Sequence, residues 1–227
     1  MTTPTLSIVM PVLNEAAGLS AALQALASLT ERGVQLIVAD GGSSDGTVAL
    51  ARAARATVIN APRGRALQMN TGAQYASGDL LLFLHADTLL PEDADQLIAR
   101  ALASGQTVWG RFDVHIAGQS PLLLVVAALM NLRSRWCGIA TGDQAMFMTR
   151  AAFDAVGGFP AQPLMEDIEI SKRLRQLTRP ACLHDKVQTS GLRWETRGVW
   201  RTILLMWRLR FAYWRGATPE HLAELYR

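Results

Sequence analysis

Long apolar runs are missing from this chain. No stretch of its 227 residues approaches the roughly eighteen uninterrupted apolar residues of a membrane-spanning helix. Cysteine is scarce: Cys137 and Cys182 lie far apart and match no metal-ligand spacing, which reads as two thiols in a reducing compartment. Neither charge sign dominates. The formal net charge of +3 does not mark a nucleic-acid binder, though it suits an anionic ligand or a membrane surface. The start, Met1-Thr2-Thr3-Pro4, has no basic segment before its short apolar run, so it is not expected to be a signal peptide. The glycine patterns of dinucleotide-binding and P-loop folds are absent, as are repeats, low-complexity tracts and clear linkers.

What remains is an apolar, patterned chain. Hydrophobic residues make up 50% of it, too many for disorder, and its length suits one α/β core with a small appendage. Strand and helix patterns alternate through the first hundred residues. Leu6–Met10, Val34–Ala39, Thr57–Asn60 and Leu80–Leu84 read as strands. Leu19, Ala22, Leu23 and Leu26 fall at i, i+3, i+4 and i+7, one helix face, and Thr47–Ala54 and Ala66–Ala76 read as further helices. Leu80–Leu84 is apolar without alternation, as a central parallel strand covered on both faces should be. The expectation is a mostly parallel sheet flanked by helices.

After about residue 105 the pattern changes. Val108–Ile116 and Gln144–Thr149 read as strands, Ala151 to Gly157-Gly158 and Glu166–Leu177 as helices. Pro121–Met130 is strongly apolar and gives way to Arg133-Ser134-Arg135-Trp136. Val199–Trp214 reads as a long helix. One domain over 1–227 is expected: a nucleotide-type half at about 1–105, an acceptor-type half at about 106–192 and a helical extension at about 193–227.

Six segments could carry chemistry. Pro11-Val12-Leu13-Asn14-Glu15 and Asp40-Gly41-Gly42-Ser43-Ser44-Asp45-Gly46-Thr47 each follow an apolar strand, where open α/β sheets handle ligands. There Asp40 is read as a ligand contact and Asp45 as a helix cap. His85-Ala86-Asp87-Thr88 follows the central strand, and a carboxylate there either binds a divalent cation or caps the next helix. Arg63-Gly64-Arg65 stands near a helix start, suiting phosphate or base recognition, or is a solvated basic loop. In Met165-Glu166-Asp167-Ile168-Glu169, acids are favoured by the helix dipole; Asp167 shares the buried face of Ile170, while Glu166 and Glu169 are expected to point elsewhere. An inward carboxylate there is a candidate general base. Gly142-Asp143-Gln144 is a further polar loop at a strand start.

The ordered set PVLNE, DGGSSDGT, SGDLLLFLHADT, GDQAMFMTRAAFDAVGGF and MEDIEISKRL resembles family 2 glycosyltransferases of the GT-A fold, over roughly residues 5–180. The short length and the tail from Arg197 to Arg227 resemble a small bacterial subgroup with members named for arsenosugar biosynthesis. The resemblance implies a nucleotide-diphosphate sugar donor, with UDP the commonest nucleotide, a divalent metal (Mn2+ or Mg2+), and inverting transfer to a hydroxyl acceptor. By position it places Pro11, Asn14, Glu15 and Asp40 at the nucleotide, with Arg63, Arg65 and Asp143 on the donor. It makes Asp87 the metal ligand and Asp167 the catalytic base. His85 stands where the family's metal motif usually carries Asp; it is a candidate second metal ligand or holds a phosphate or water, and Asp87 is the ligand that counts. The competing classes are a nucleotidyltransferase of similar fold, and a catalytically inactive membrane-peripheral binding protein.

The last expectation concerns the helical extension. Trp200, Ile203, Leu204, Trp207, Phe211 and Trp214 make one apolar face, with Arg201, Arg208 and Arg215 as a basic stripe beside it. That face either packs on the domain or lies on a membrane. The second option implies a peripheral protein on the inner face of the cytoplasmic membrane, with a lipid-linked acceptor. Pro121–Met130 is expected beside this face, completing a lipid-facing or a homodimer-forming patch.

Overall fold

The computed structural model describes residues 4–226, apart from the side chain of Arg193. The elements run β1 (Leu6–Val12), α1 (Ala16–Ala25), α2 (Ala27–Glu31), β2 (Gln35–Asp40), α3 (Thr47–Ala53), β3 (Thr57–Asn60), α4 (Arg65–Tyr75), β4 (Leu80–Phe83), β5 (Thr88–Leu89) and α5 (Ala94–Leu102). They continue with β6 (Trp109–Ala117), α6 (Leu122–Cys137), a 3₁₀ turn (Gly142–Gln144), β7 (Phe147–Thr149), α7 (Arg150–Ala155), α8 (Glu166–Leu177), β8 (Ala181–Ser190), α9 (Leu192–Arg197), α10 (Val199–Trp214) and α11 (Pro219–Tyr226).

One sheet of order β3-β2-β1-β4-β7-β6-β8-β5 runs through both halves. β3, β2, β1 and β4 are parallel to one another; β7 pairs antiparallel with both β4 and β6, and β6 with β8 is parallel again. The central strands feed two cores by side-chain alternation. Ile8, Met10, Val38, Leu80 and Leu82 face one core with Leu19 and Leu23 of α1 and Ile98 of α5. Val9, Ile37, Leu81 and Phe83 face the other with Met69 of α4, Phe153 of α7 and Ile170 of α8. This accounts for the unbroken apolar runs: each of these strands is covered on both faces. α4 lies so close to β1 that a Cβ on Gly72 would stand 2.3 Å from Val9 Cγ1.

The second half departs from its sequence pattern in three places. The strand expected over Gln144–Thr149 is only Phe147–Thr149, because Thr141 and Gln144 close a capping box around the 3₁₀ turn. β8 was not anticipated: only its Val187 and Thr189 are buried, so it carries little alternation to read. Pro121–Met130 and the basic run after it form one helix, α6, whose polar residues turn inward. Asn131 exchanges two hydrogen bonds with the Val114 backbone at 2.9 and 3.0 Å, and Arg135 reaches Asp113 at 2.6 Å. Leu124, Val125 and Leu129 are left exposed.

Candidate active site

The chain doubles back at β1, whose neighbours are β2 on one side and β4 on the other. At such a switch point the loops beyond the strand ends diverge and leave a crevice. Here they are the loop after β1, the loop after β2, and the segment from His85.

The first two loops are stapled together. Asn14, at a φ of 55°, donates its backbone N–H to Ser43 Oγ at 2.9 Å and accepts from Ser44 N through Oδ1 at 2.9 Å. Glu15 N donates to Thr47 Oγ1 at 2.9 Å. Asp45 accepts from Thr47 N at 3.0 Å and from Ala16 N at 3.1 Å, so it caps the starts of α3 and α1 together. Its carboxyl is held below its ordinary value, chiefly by the Thr47 hydroxyl. Asp40 is buried at the end of β2 and accepts from the Gly42 and Ser43 backbone N–H groups, which sets the turn of the glycine loop.

Gln68 and Asn70, on α4 just after Arg65, serve the scaffold. Gln68 Nε2 donates to Val12 O at 2.7 Å and Ala39 O at 2.9 Å, tying the ends of β1 and β2. Asn70 exchanges hydrogen bonds of 2.8 and 2.9 Å with the Phe159 backbone. Replacing Gln68 with Leu keeps the volume and removes both buried hydrogen bonds, leaving Val12 O with its Gly41 N–H donor alone. It should cost about 1–3 kcal/mol, read as a lowered urea midpoint; an unchanged midpoint would show that the clamp carries no stability.

The charged groups of the crevice come from five places in the chain. Arg65, in the first turn of α4, lies 3.4 Å from Glu166 Oε1. Its side chain keeps 47% of its surface open, yet it feels Glu166, Asp143 and Asp167 together. Burial pulls its pKa down and these three acids outweigh that, holding it above the ordinary arginine value. His85 Nδ1 lies 3.4 Å from Asp143 Oδ1. Its ring packs on Gly142, where a Cβ would come within 2.4 Å of Cε1. The Gly142 N–H donates to Asp167 Oδ2 at 3.0 Å, and Asp167 Oδ1 accepts from Ile168 N at 2.7 Å. Glu15 is pushed above its ordinary value by burial first and then by the charge of Asp87, with His85 and Arg65 opposing. Asp87 is exposed at the mouth, accepting from Thr88 Oγ1 at 3.2 Å.

Glu166 corrects the sequence reading. It does not point elsewhere: it is 3% exposed and faces Arg65. Met165 takes a left-handed φ of 66° at the helix N-cap, and the first turn of α8 delivers both acids inward. Burial raises the pKa of Glu166, and the charge of Asp167 raises it further. Asp167 keeps a partial opening to solvent, but the atoms packed around its carboxylate desolvate it. Burial raises its pKa despite the two backbone donors. Glu169 does face away, toward Lys172 at 3.3 Å and the Tyr213 hydroxyl at 3.2 Å.

The structure thus gathers Glu15, Arg65, His85, Asp87, Asp143 and Asp167 around one crevice and adds Glu166 and the Gly142 N–H. Pro11 is half-buried in the end of β1. Arg63 is exposed and makes no ion pair among the described residues. The Gly142 donor was legible in part, since Thr141-x-x-Gln144 is the capping-box spacing that forms its turn. The cavity of about 340 Å³ between α6 and β6, lined by Leu124, Asn131 and Arg135, shares no residue with the crevice.

Residues 7–154 match the family described as Glycosyl transferase family 2. The chain belongs to that family. This family 2 member is 30% identical over 176 residues to a PGL/p-HBAD biosynthesis glycosyltransferase of Mycobacterium bovis, covering 70% of this chain and 64% of the relative. It is 33% identical over 108 residues to the succinoglycan biosynthesis protein ExoA of Rhizobium meliloti, covering 43% and 33%. The chain therefore spans just under two thirds of its mycobacterial relative. Its fold is of the GT-A type, mostly parallel and flanked by helices. It superposes on S. aureus TarS (1–349) in complex with UDP with a TM-score of 0.68 at 18% identity, over 82% of this chain and 60% of that one. For a mannosyltransferase from Pyrobaculum calidifontis in complex with GDP-Man and Mn2+ the TM-score is 0.65 at 21% identity, over 93% and 62%.

The metal bound in that mannosyltransferase sets a test for this crevice. No group of three or more His, Cys, Asp or Glu side chains is gathered to cage a metal among the described residues. A hard cation such as Mg2+ needs one or two carboxylates, with phosphates and water filling the other positions. Asp87, an exposed carboxylate two residues after His85, fits a cation that arrives with a diphosphate. It does not fit a resident structural ion.

Proposed function

We propose that this protein is an inverting glycosyltransferase that moves a sugar from a nucleotide-diphosphate sugar to an acceptor hydroxyl, with Asp167 as general base. The observation that carries the reading is the meeting of Asp167 and its Gly142 donor with Arg65, Glu15 and Asp87 at the switch point of the sheet. Support also comes from solved relatives of the fold that hold UDP, UDP-GlcNAc or GDP-Man with Mn2+.

A hydroxyl is a poor nucleophile and must lose its proton as it attacks the anomeric carbon. Asp167 takes that proton while the bond from carbon to diphosphate oxygen breaks on the opposite face. Burial raises the basicity of Asp167, and the N–H groups of Gly142 and Ile168 fix its orientation. Arg65 offsets the negative charge of the acids and faces the space where the leaving diphosphate gains charge. Asn14, Glu15 and Asp40 shape the nucleotide pocket through the stapled loops, with Pro11 at its base. A divalent cation, Mn2+ or Mg2+, would be held by Asp87 beside His85 and would neutralise the charge on the diphosphate.

The test is the product formed from a panel of nucleotide sugars with Mn2+. Release of the nucleoside diphosphate with a glycosylated or hydrolysed sugar is expected. Release of pyrophosphate would instead make the protein a nucleotidyltransferase, and no turnover of any donor that binds would leave a binding protein. The resemblance of the tail to the arsenosugar-named subgroup adds a candidate acceptor class to that panel.

A further inference from the structure

We infer that α10 is a docking surface for an anionic lipid bilayer. Trp200, Leu204, Trp207, Phe211 and Trp214 are 65%, 60%, 68%, 59% and 78% exposed. At 3.6 residues per turn these five positions fall within an arc of about 80°. A helix packed on its own domain would turn that arc inward. Here the inward face is a different one: Thr202 and Leu209 are buried, and Leu209 joins Met165, Ile168 and Leu222 in a small core with Leu205 and Tyr213 packed against it. The large side chains are left facing out, three of the six tryptophans of the chain among them. Exposed apolar surface of this size marks an interaction site.

The charge pattern identifies what covers it. Arg201, Arg208 and Arg215 recur every seven residues along the flank of the stripe and are all exposed. Arg215 lies over the Phe211 ring at 5.9 Å. A second copy of this chain packing its α10 antiparallel on the stripe about a twofold axis would bring like charges together, whereas anionic headgroups supply the opposite charge. Tryptophan and arginine at the edge of one apolar arc is the composition of a helix lying in a bilayer interface. No helix among the described residues is long and apolar enough to cross a membrane, so the contact is peripheral. The inner face of α10 rests on Met165 and Ile168, which flank Glu166 and Asp167, and Tyr213 bonds Glu169. Docking therefore brings the bilayer near the segment that carries the proposed base.

Flotation of the full chain with phosphatidylglycerol-containing vesicles tests this, and it reads no turnover, so it stands apart from the glycosyl-transfer reading. At low salt most of the protein is expected to float, with a blue shift of tryptophan emission. At about 1 M salt, where charges are screened beyond about 3 Å, it should return to the bottom. Neutral phosphatidylcholine vesicles should carry severalfold less. The triple variant R201E/R208E/R215E and the double variant W207S/W214S should each lose most of the floated fraction while keeping the circular dichroism of the parent. Protein that stays at the bottom at low salt overturns the proposal. So does a dimer in sedimentation without vesicles that W207S/W214S dissociates, because the stripe would then be covered by a second copy.

Discussion

Asp167→Asn should lower turnover by about 10²–10⁴-fold while nucleotide binding is kept. The amide preserves shape and its one oxygen can still accept from either the Gly142 or the Ile168 N–H, which now meet two different oxygens of the carboxylate. It cannot take the acceptor proton. The measurement is kcat with a working donor and acceptor beside a nucleotide titration of the same variant. Parent-like turnover would sink the assignment of the base. The parent should also show a signature in pH. Burial raises the pKa of Asp167 and of its neighbour Glu166, and the base works only when ionised. Activity should therefore fall as pH drops through a value above the usual carboxylate range, and that limb belongs to the pair of acids. Arg65 favours ionisation of both, so Arg65→Met should move the limb to still higher pH. Movement to lower pH would remove Arg65 from this electrostatic group.

Asp87→Ala should abolish the manganese-dependent part of nucleotide affinity, measured by calorimetry with and without Mn2+. Asp87 is the exposed carboxylate at the crevice mouth and no side-chain cage replaces it among the described residues, so its loss removes the strongest oxygen donor to a cation arriving with phosphates. His85→Ala should cost less of that increment, because His85 already has Asp143 within 3.4 Å and packs on Gly142. Equal metal-assisted binding in Asp87→Ala and the parent would put the cation elsewhere.

Most of the first half was legible because local pattern and final environment agree there. The strands at Leu6, Val34, Thr57 and Leu80 are found within a few residues of their expected places, since strands covered on both faces must be apolar throughout. The position of the loops around the candidate site was legible where they follow such strands, at Asn14, Asp40 and Asp87. Glu166 was missed because the helical spacing was anchored on Ile170. In the structure Met165 turns the chain at a left-handed φ and the first turn of α8 sits against Arg65, a partner 101 residues away. The role of Gln68 is not legible for the same kind of reason: its two acceptors, Val12 O and Ala39 O, belong to distant strand ends.

The sequence by itself determined the alternating α/β plan and the switch-point loops, because periodicity and glycine-rich strand ends are local properties. The tertiary structure decided which way amphipathic segments face. α6 turns Asn131 and Arg135 inward to satisfy β6 and leaves Leu124 and Leu129 in solvent, and α10 buries Leu209 and exposes its tryptophans. An amphipathic helix has two faces, and its sequence cannot say which one the rest of the chain will cover. That depends on where unpaired backbone groups and apolar neighbours lie once the sheet has formed.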